Sequence, residues 1–222
     1  MDWDRLVAAL ERHVLAPGEQ IEERRDWPEA STFMVGDYGY EARSADWLIG
    51  QAPWVDAVVR VVADRFMDNF AITYGLLFTG DEALFLNDPA TIRDLGRRLG
   101  ADLDPLAYAE VLAELYSGQR VDGPTVLPFS ATGAHRAGVL VRDKAQFAAE
   151  YEWVDPTLVS APVVRASAGG VELEFSSVHY FLTETKSAVD VLQWTVVGGG
   201  GRPASWSRRY VAERVERAYR VS

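Results

Sequence analysis

The chain has 222 residues, with 33 acidic against 22 basic side chains, a formal net charge of −11 and no cysteine. Missing thiols exclude disulfide staples, cysteine-zinc sites and thiol nucleophiles, and an apolar content of 48% against 25% charged residues excludes extended disorder. No apolar run nears the roughly 18 residues of a spanning helix, so no membrane partner is expected, and the acidic, amphipathic start Met1-Asp2-Trp3-Asp4-Arg5 is unlike a secretory signal, which makes a cytoplasmic location the expectation.

Charge is divided unevenly. Residues 1–118 carry 22 acidic and 10 basic side chains, −12, whereas residues 119–222 carry 11 and 12, +1. Residues 202–222 set six arginines against Glu213 and Glu216, +4. An acidic body repels phosphates while a basic tail attracts them or an acidic protein face; pairing of the tail with the acidic half of the same molecule is the plainer account. Lys144 and Lys186 are the two lysines, and we give the arginine bias no functional weight.

In chain order, Leu6, Leu10 and Val14 at spacing four predict a helix from Asp2 to Val14, stopped by Ala16-Pro17-Gly18. Residues 19–45 are polar and aromatic without a sustained period, with Thr32 to Val35 as a short strand inside them. Val55, Val58, Val59, Val62 and Phe66 predict a helix from Trp54 to Phe70, with Asp56, Arg60, Asp64 and Asp68 on its opposite, solvated face. Ile72 to Phe78 reads as a strand, Gly80-Asp81 as a turn and Ala83 to Leu86 as its hairpin partner. Two helices follow with matching punctuation: Asp88-Pro89 opens one and Gly100 ends it, Asp104-Pro105 opens the next and Gly118 ends it. They are expected to pair and lie on a sheet. Thr125 to Gly138 is irregular, and Asp143 caps a helix that runs to about Tyr151.

Residues 163–197 carry the clearest pattern, antiparallel strands joined by short turns. Val171, Leu173 and Phe175 alternate with Glu172, Glu174 and Ser176; the apolar set then moves to Val178, Tyr180 and Leu182, a slip of one that a β-bulge near Ser176-Ser177 would explain. Val189 to Val197 returns, Gly198 to Gly201 turns, and Ser205 to Tyr210 is another short strand. Val211, Val215 and Tyr219 at spacing four then predict a final helix, although alternation also fits. The fold class is α+β: N-terminal helices and a small hairpin packed with a C-terminal antiparallel β-sheet, in a single compact domain 1–222. A subdivision near 118, into an acidic helix-rich 1–118 and a strand-rich 119–222, is the alternative.

No phosphate loop, Gly-x-Ser-x-Gly elbow, paired-histidine metal helix or calcium loop is present. His13, His135 and His179 lie on separate predicted elements without metal-ligand spacing, so neither metal nor cofactor is expected. His179 with Glu172 or Glu174 would make a histidine–carboxylate pair for acid–base chemistry if all faced one concavity; a hydrogen-bonded strand histidine is the plainer reading. Ser130, Thr132, His135 and Arg136, among glycines, have the chemistry to hold an anion, as an ordinary surface loop also does. Trp206, Arg208, Arg209 and Tyr210 mix aromatic and cationic groups that stack on bases. The leading expectation is a non-catalytic binding or interaction protein with a protein partner. The alternative is a small-molecule-binding protein or enzyme with a pocket between a curved antiparallel sheet and helices, and the third is weak nucleic-acid binding through the arginine-rich C-terminus. Binding candidates are His135, Arg136, His179, Arg208 and Arg209.

Overall fold

The structure, a computed structural model, describes residues 2–26, 30–45, 52–65, 70–118, 126–128, 138–182 and 186–218. It is of mixed α+β class and mostly sheet: a seven-stranded and a five-stranded antiparallel sheet, with helices outside and between them. Helix α1 (Trp3–His13) is capped by Asp2, whose carboxylate accepts from Asp4 N. Strands β1 (Glu23–Asp26), β2 (Ala30–Val35), β3 (Tyr38–Ser44), β4 (Ala57–Arg65), β5 (Phe70–Thr79) and β6 (Glu82–Phe85) then pair in chain order, and β7 (Val126–Pro128) joins β5 beside β6. One face of this sheet buries Phe33, Val35, Val59, Val61 and Leu76 against Leu6 and Leu10 of α1.

The polar stretch 19–45 thus supplies three strands, and within the stretch predicted as a helix from Trp54 to Phe70 the residues Ala57–Arg65 are β4, with 66–69 outside the described residues. The error has a physical cause. Val58, Val59, Val61 and Val62 are all buried because β4 is covered on both faces, by α1 on one side and by the middle helices on the other. A strand buried on both faces reads as a continuous apolar run, from which a helical spacing is easily picked out, and the β-branched valines favour the strand. The predicted polar face does not form: Asp56 meets Arg5 of α1 at 3.4 Å and Arg60 meets Glu114 at 3.0 Å, while Asp68 lies outside the described residues.

The middle layer is α2 (Pro89–Leu95), prolonged by a 3-10 turn over Gly96–Arg98, and α3 (Pro105–Tyr116). Both begin as predicted, with Asp88 and Asp104 accepting from Ala90 N and Ala107 N and a proline in the first turn. Helix α3 buries Tyr108, Val111, Leu112, Leu115, Tyr116 and its alanines, apolar around nearly its whole circumference, the pattern of a helix with structure on every side. Its core contains Val58, Leu77 and Leu86 from the first sheet together with Leu173, Phe175, Trp194 and Val196 from the second. The buried tyrosines satisfy their hydroxyls internally: Tyr108 donates to Ile92 O and Tyr116 to Leu86 O, each at 2.8 Å.

Strand β8 (Val139–Leu140), helix α4 (Lys144–Glu150), and strands β9 (Val163–Ser167), β10 (Gly170–Leu182), β11 (Lys186–Gly199) and β12 (Arg202–Ala218) complete the chain. The second sheet runs β12-β11-β10-β8, with β9 sharing the β8 edge of β10. No bulge interrupts β10 at Ser176-Ser177: its register with β11 is continuous from Val171↔Gly198 to Leu182↔Ser187. The phase slip arises because the covered face changes along the strand. Leu173 and Phe175 face the middle helices, whereas Val178 faces the other way, onto Val141, Phe147 and Tyr151 around α4. Nor are residues 210–218 helical, while Tyr219 lies outside the described residues. β12 continues to Ala218 with register shifts opposite Val189–Leu192; a spacing of four fits the two-residue alternation of a strand as well as a helical turn, and Val211 and Val215 both pack on the α4 side.

The turn after α2 fits under β12 so closely that an added Cβ on Gly96 would lie 2.2 Å from Ala204 Cβ and 2.6 Å from Ala204 N. Both neighbours belong to a fixed strand, so the methyl has no flexible side chain to displace. Gly96→Ala is therefore expected to cost about 1–3 kcal/mol by overpacking. Urea unfolding midpoints measure it, and an unchanged midpoint would contradict the close approach of helix and strand.

Candidate functional site

Strand alternation decides what His179 meets. Glu172 and Glu174 occupy even positions of β10 and point away from it, Glu174 forming an ion pair with Arg165 at 3.1 Å. His179 therefore does not pair with Glu172 or Glu174. Across the ladder His179 faces Asp190 of β11, with Nδ1 3.8 Å from Asp190 Oδ2. Asp190 Oδ1 also accepts from Arg214 N at 2.8 Å, and Arg214 sits at φ 48°, a left-handed conformation unusual for a residue with a side chain. The imidazole is nearly sealed, at 6% exposure, and Gly118 covers it so closely that a Cβ there would lie 2.8 Å from Nε2.

Two positions earlier, on the same face, Ser177 is fully buried. Its Oγ lies 2.7 Å from Ser117 Oγ at the end of α3 and accepts from Trp194 Nε1 at 2.8 Å. Serine, histidine and aspartate thus lie on one sheet face, Ser177 and His179 against the end of α3 and Asp190 bonded to β12. A nucleophile must be reached by its substrate; this serine is enclosed. The group fastens the helix end to β10 and β11.

The arginines predicted as a stacking patch are separated. Arg208 turns inward, donating through Nη1 to Tyr116 O at the α3 C-terminus and lying over Trp194 at 5.4 Å; a cation there satisfies terminal carbonyls of the helix. Burial lowers its pKa. Arg209, next along the strand, points outward and donates to Gln193 Oε1 at 2.5 Å. Trp206 packs under Arg93 at 4.8 Å and against Tyr116. His135 and Arg136, with Ser130 and Thr132, lie outside the described residues. His13 stacks on Phe85 at 5.4 Å, far in the fold from His179, and among the described residues no three metal-binding side chains gather.

The site that sequence reasoning missed is a cleft of about 250 Å³ between α3, β8 and α4. Val178, Phe147 and Tyr151 form its floor, the two rings tilted at 5.2 Å. Glu110 and Glu114, one helical turn apart on α3, form one wall, and Glu150 lies on α4 opposite. Glu110 accepts from Arg142 Nε at 3.0 Å and from its Nη2 at 2.5 Å. Glu114 accepts from Arg60 Nη1 at 3.0 Å, yet burial pushes its carboxyl above the ordinary range, outweighing that attraction. Val139, on the lip, is 48% exposed. The sequence signal was Glu110 and Glu114 at spacing four beside the buried stripe of α3, ordinary for the polar side of any helix.

No family model matches the chain, and neither a curated protein nor a solved structure is similar enough to match it.

Proposed function

We propose that the chain is a non-catalytic binding protein that engages a partner polypeptide. The cleft between α3, β8 and α4 carries this reading: it is open, floored by apolar and aromatic groups, walled by carboxylates, and bordered by the exposed Val139. Such a combination of an apolar anchor site and a polar rim is how protein surfaces receive partner side chains. Ser177 is bonded to Ser117 at the end of α3 and to Trp194, and Asp190 to the backbone of Arg214 in β12. A small-molecule ligand is the second reading, favoured by the position of the same cleft between a sheet edge and two helices. Weak nucleic-acid binding has less support, because Arg208 is turned into the protein and Arg209 is engaged by Gln193.

Native mass spectrometry of the protein purified gently from its host tests the proposal. A stoichiometric second polypeptide is the expected outcome. A small added mass that is lost on denaturation would instead support the ligand reading, and a bare chain would support neither.

A further inference from the structure

We propose that β9 is the contact through which a second copy of this chain pairs with the first, edge to edge and antiparallel. Among the described residues the large apolar side chains left exposed are Val139, Val163, Val164 and Val197, and the first three lie on β8 and β9, the short strands that share one edge of β10. Strand β9 is exposed along its whole length, and among the described residues its backbone makes no hydrogen bond outside the ladder with β10. An open edge of this kind is a template for another strand. Two other edges are guarded. β1 reads Glu23-Arg24-Arg25-Asp26, and β12 carries Pro203, Arg209 and register shifts, with Arg214 at φ 48°; charge, proline and bulges all discourage pairing. β9 carries one charge, Arg165, already paired with Glu174 at 3.1 Å.

The side chains select a second copy as the occupant. Residues opposite one another in a ladder share a face, so two identical strands pair antiparallel only about a two-fold axis that passes through a residue. An axis at Arg165 would set guanidinium against guanidinium. An axis at Val164 sets valine against valine. Within one copy Val164 stands opposite Leu173, Leu173 opposite Val196 and Val196 opposite Trp206, an apolar row on the side of the middle helices that breaks off at Val164, 45% exposed. The second copy continues that row. On the other face the same axis places Arg165 between Glu172 of its own copy and Val163 of the second copy, beyond which stands the second copy's Glu174. No like charges meet across the seam. The strand has five residues and spans about 17 Å, so the contact is at the small end of specific interfaces, and dissociation on the order of micromolar is expected. No residue of β9 lines the α3–β8–α4 cleft, so the pairing does not depend on the partner binding proposed there.

Single-cysteine variants of the full chain test this cleanly, because the parent has no cysteine. Val164→Cys and Val197→Cys put a thiol at two valines of nearly equal exposure, 45% and 47%, one on the two-fold axis and one away from it on β11. Opposed residues in a ladder hold their Cβ atoms about 4.5–5.5 Å apart, near the separation that a disulfide closes. Under mild oxidation Val164→Cys is therefore expected to form a covalent dimer at least about tenfold faster than Val197→Cys, the gain in effective concentration at a formed contact. The parent should sediment as a monomer–dimer equilibrium across a dilution series. Val164→Lys sets two ammonium groups face to face and should weaken dimerisation by about tenfold or more, with the circular dichroism of the fold unchanged because the position is exposed.

Equal rates for the two cysteine variants, a parent that stays monomeric throughout the series, or a Val164→Lys dimer as tight as the parent's would each overturn the second copy as the occupant. A monomeric parent whose residues 163–167 gain protection from hydrogen–deuterium exchange in the complex recovered from its host would overturn self-pairing and assign the edge to a different polypeptide.

Discussion

Replacing Trp194 with alanine is expected to remove a large share of the stability of the fold. Trp194 is fully buried, stacks on Phe175 at 5.5 Å between centroids, and donates to Ser177 at 2.8 Å. Arg208, which caps α3, rests on its ring. Truncating a buried tryptophan leaves a large cavity and costs about 3–5 kcal/mol, out of the roughly 5–15 kcal/mol that keep a domain folded. The loss should extend beyond the second sheet, because the same apolar cluster reaches Leu77 and Leu86 of the first. Trp194→Phe, which retains an aromatic ring but loses the donor, should cost about 1–2 kcal/mol, the penalty of one buried hydrogen bond. Urea unfolding of the three proteins orders them. A Trp194→Ala protein within about 1 kcal/mol of the parent would show that α3 is not held as described. If the two sheets share one core, all probes should report a single transition.

Alkaline pH should unfold the chain cooperatively, for a reason distributed over several tyrosines. Burial raises the hydroxyl pKa of Tyr108, Tyr116 and Tyr74 and pushes Tyr40 up to about 12. A folded-state pKa above the unfolded value means that the unfolded chain releases its proton first as pH rises. The stabilisation is therefore complete below about pH 10, the unfolded tyrosine value, and is lost as pH climbs through the folded values. The phenolate absorbance of these four tyrosines should rise in step with the loss of circular dichroism. Ionisation of all nine tyrosines near pH 10 in a chain still folded would contradict the burial of these rings. Tyr108→Phe and Tyr116→Phe should each lower stability at neutral pH through a lost bond to a buried carbonyl and make the alkaline transition less steep.

How far the sequence could be read depended on how each element is covered. Where an element carries its own cap or turn, local signals sufficed: Asp88-Pro89, Asp104-Pro105 and Asp143 opened their helices where expected, and the β5–β6 hairpin followed its turn residues. The failures share a cause. β4 is buried on both faces, so its valines carry no period of their own. In β10 the cover passes from one face to the other, which imitates a bulge. In β12 a spacing of four fits a strand and a helix alike, and the pairing with β11 decides between them. Each depends on a neighbour distant in sequence, and no local window holds that information.

The site followed the same rule. Asp190 became the neighbour of His179 through an eleven-residue separation closed by the β10–β11 ladder, and Glu110 meets Arg142 across 32 residues. Of the residues proposed from sequence, Arg208 and His179 are parts of the junction that holds α3, and Arg209 is on an outer face. The cleft residues were invisible as a group because Glu110, Phe147 and Val139 become neighbours when α4 folds back beside α3.

The most direct test of the account is hydrogen–deuterium exchange of the chain alone and in the complex recovered from its host. The account predicts added protection in residues 138–151, spanning β8 and α4, and at the exposed side of α3 around Glu110, with β12 unchanged. Protection concentrated on β12, with residues 138–151 exchanging as in the free chain, would place the partner on the edge of the second sheet and contradict the cleft as the receiving surface.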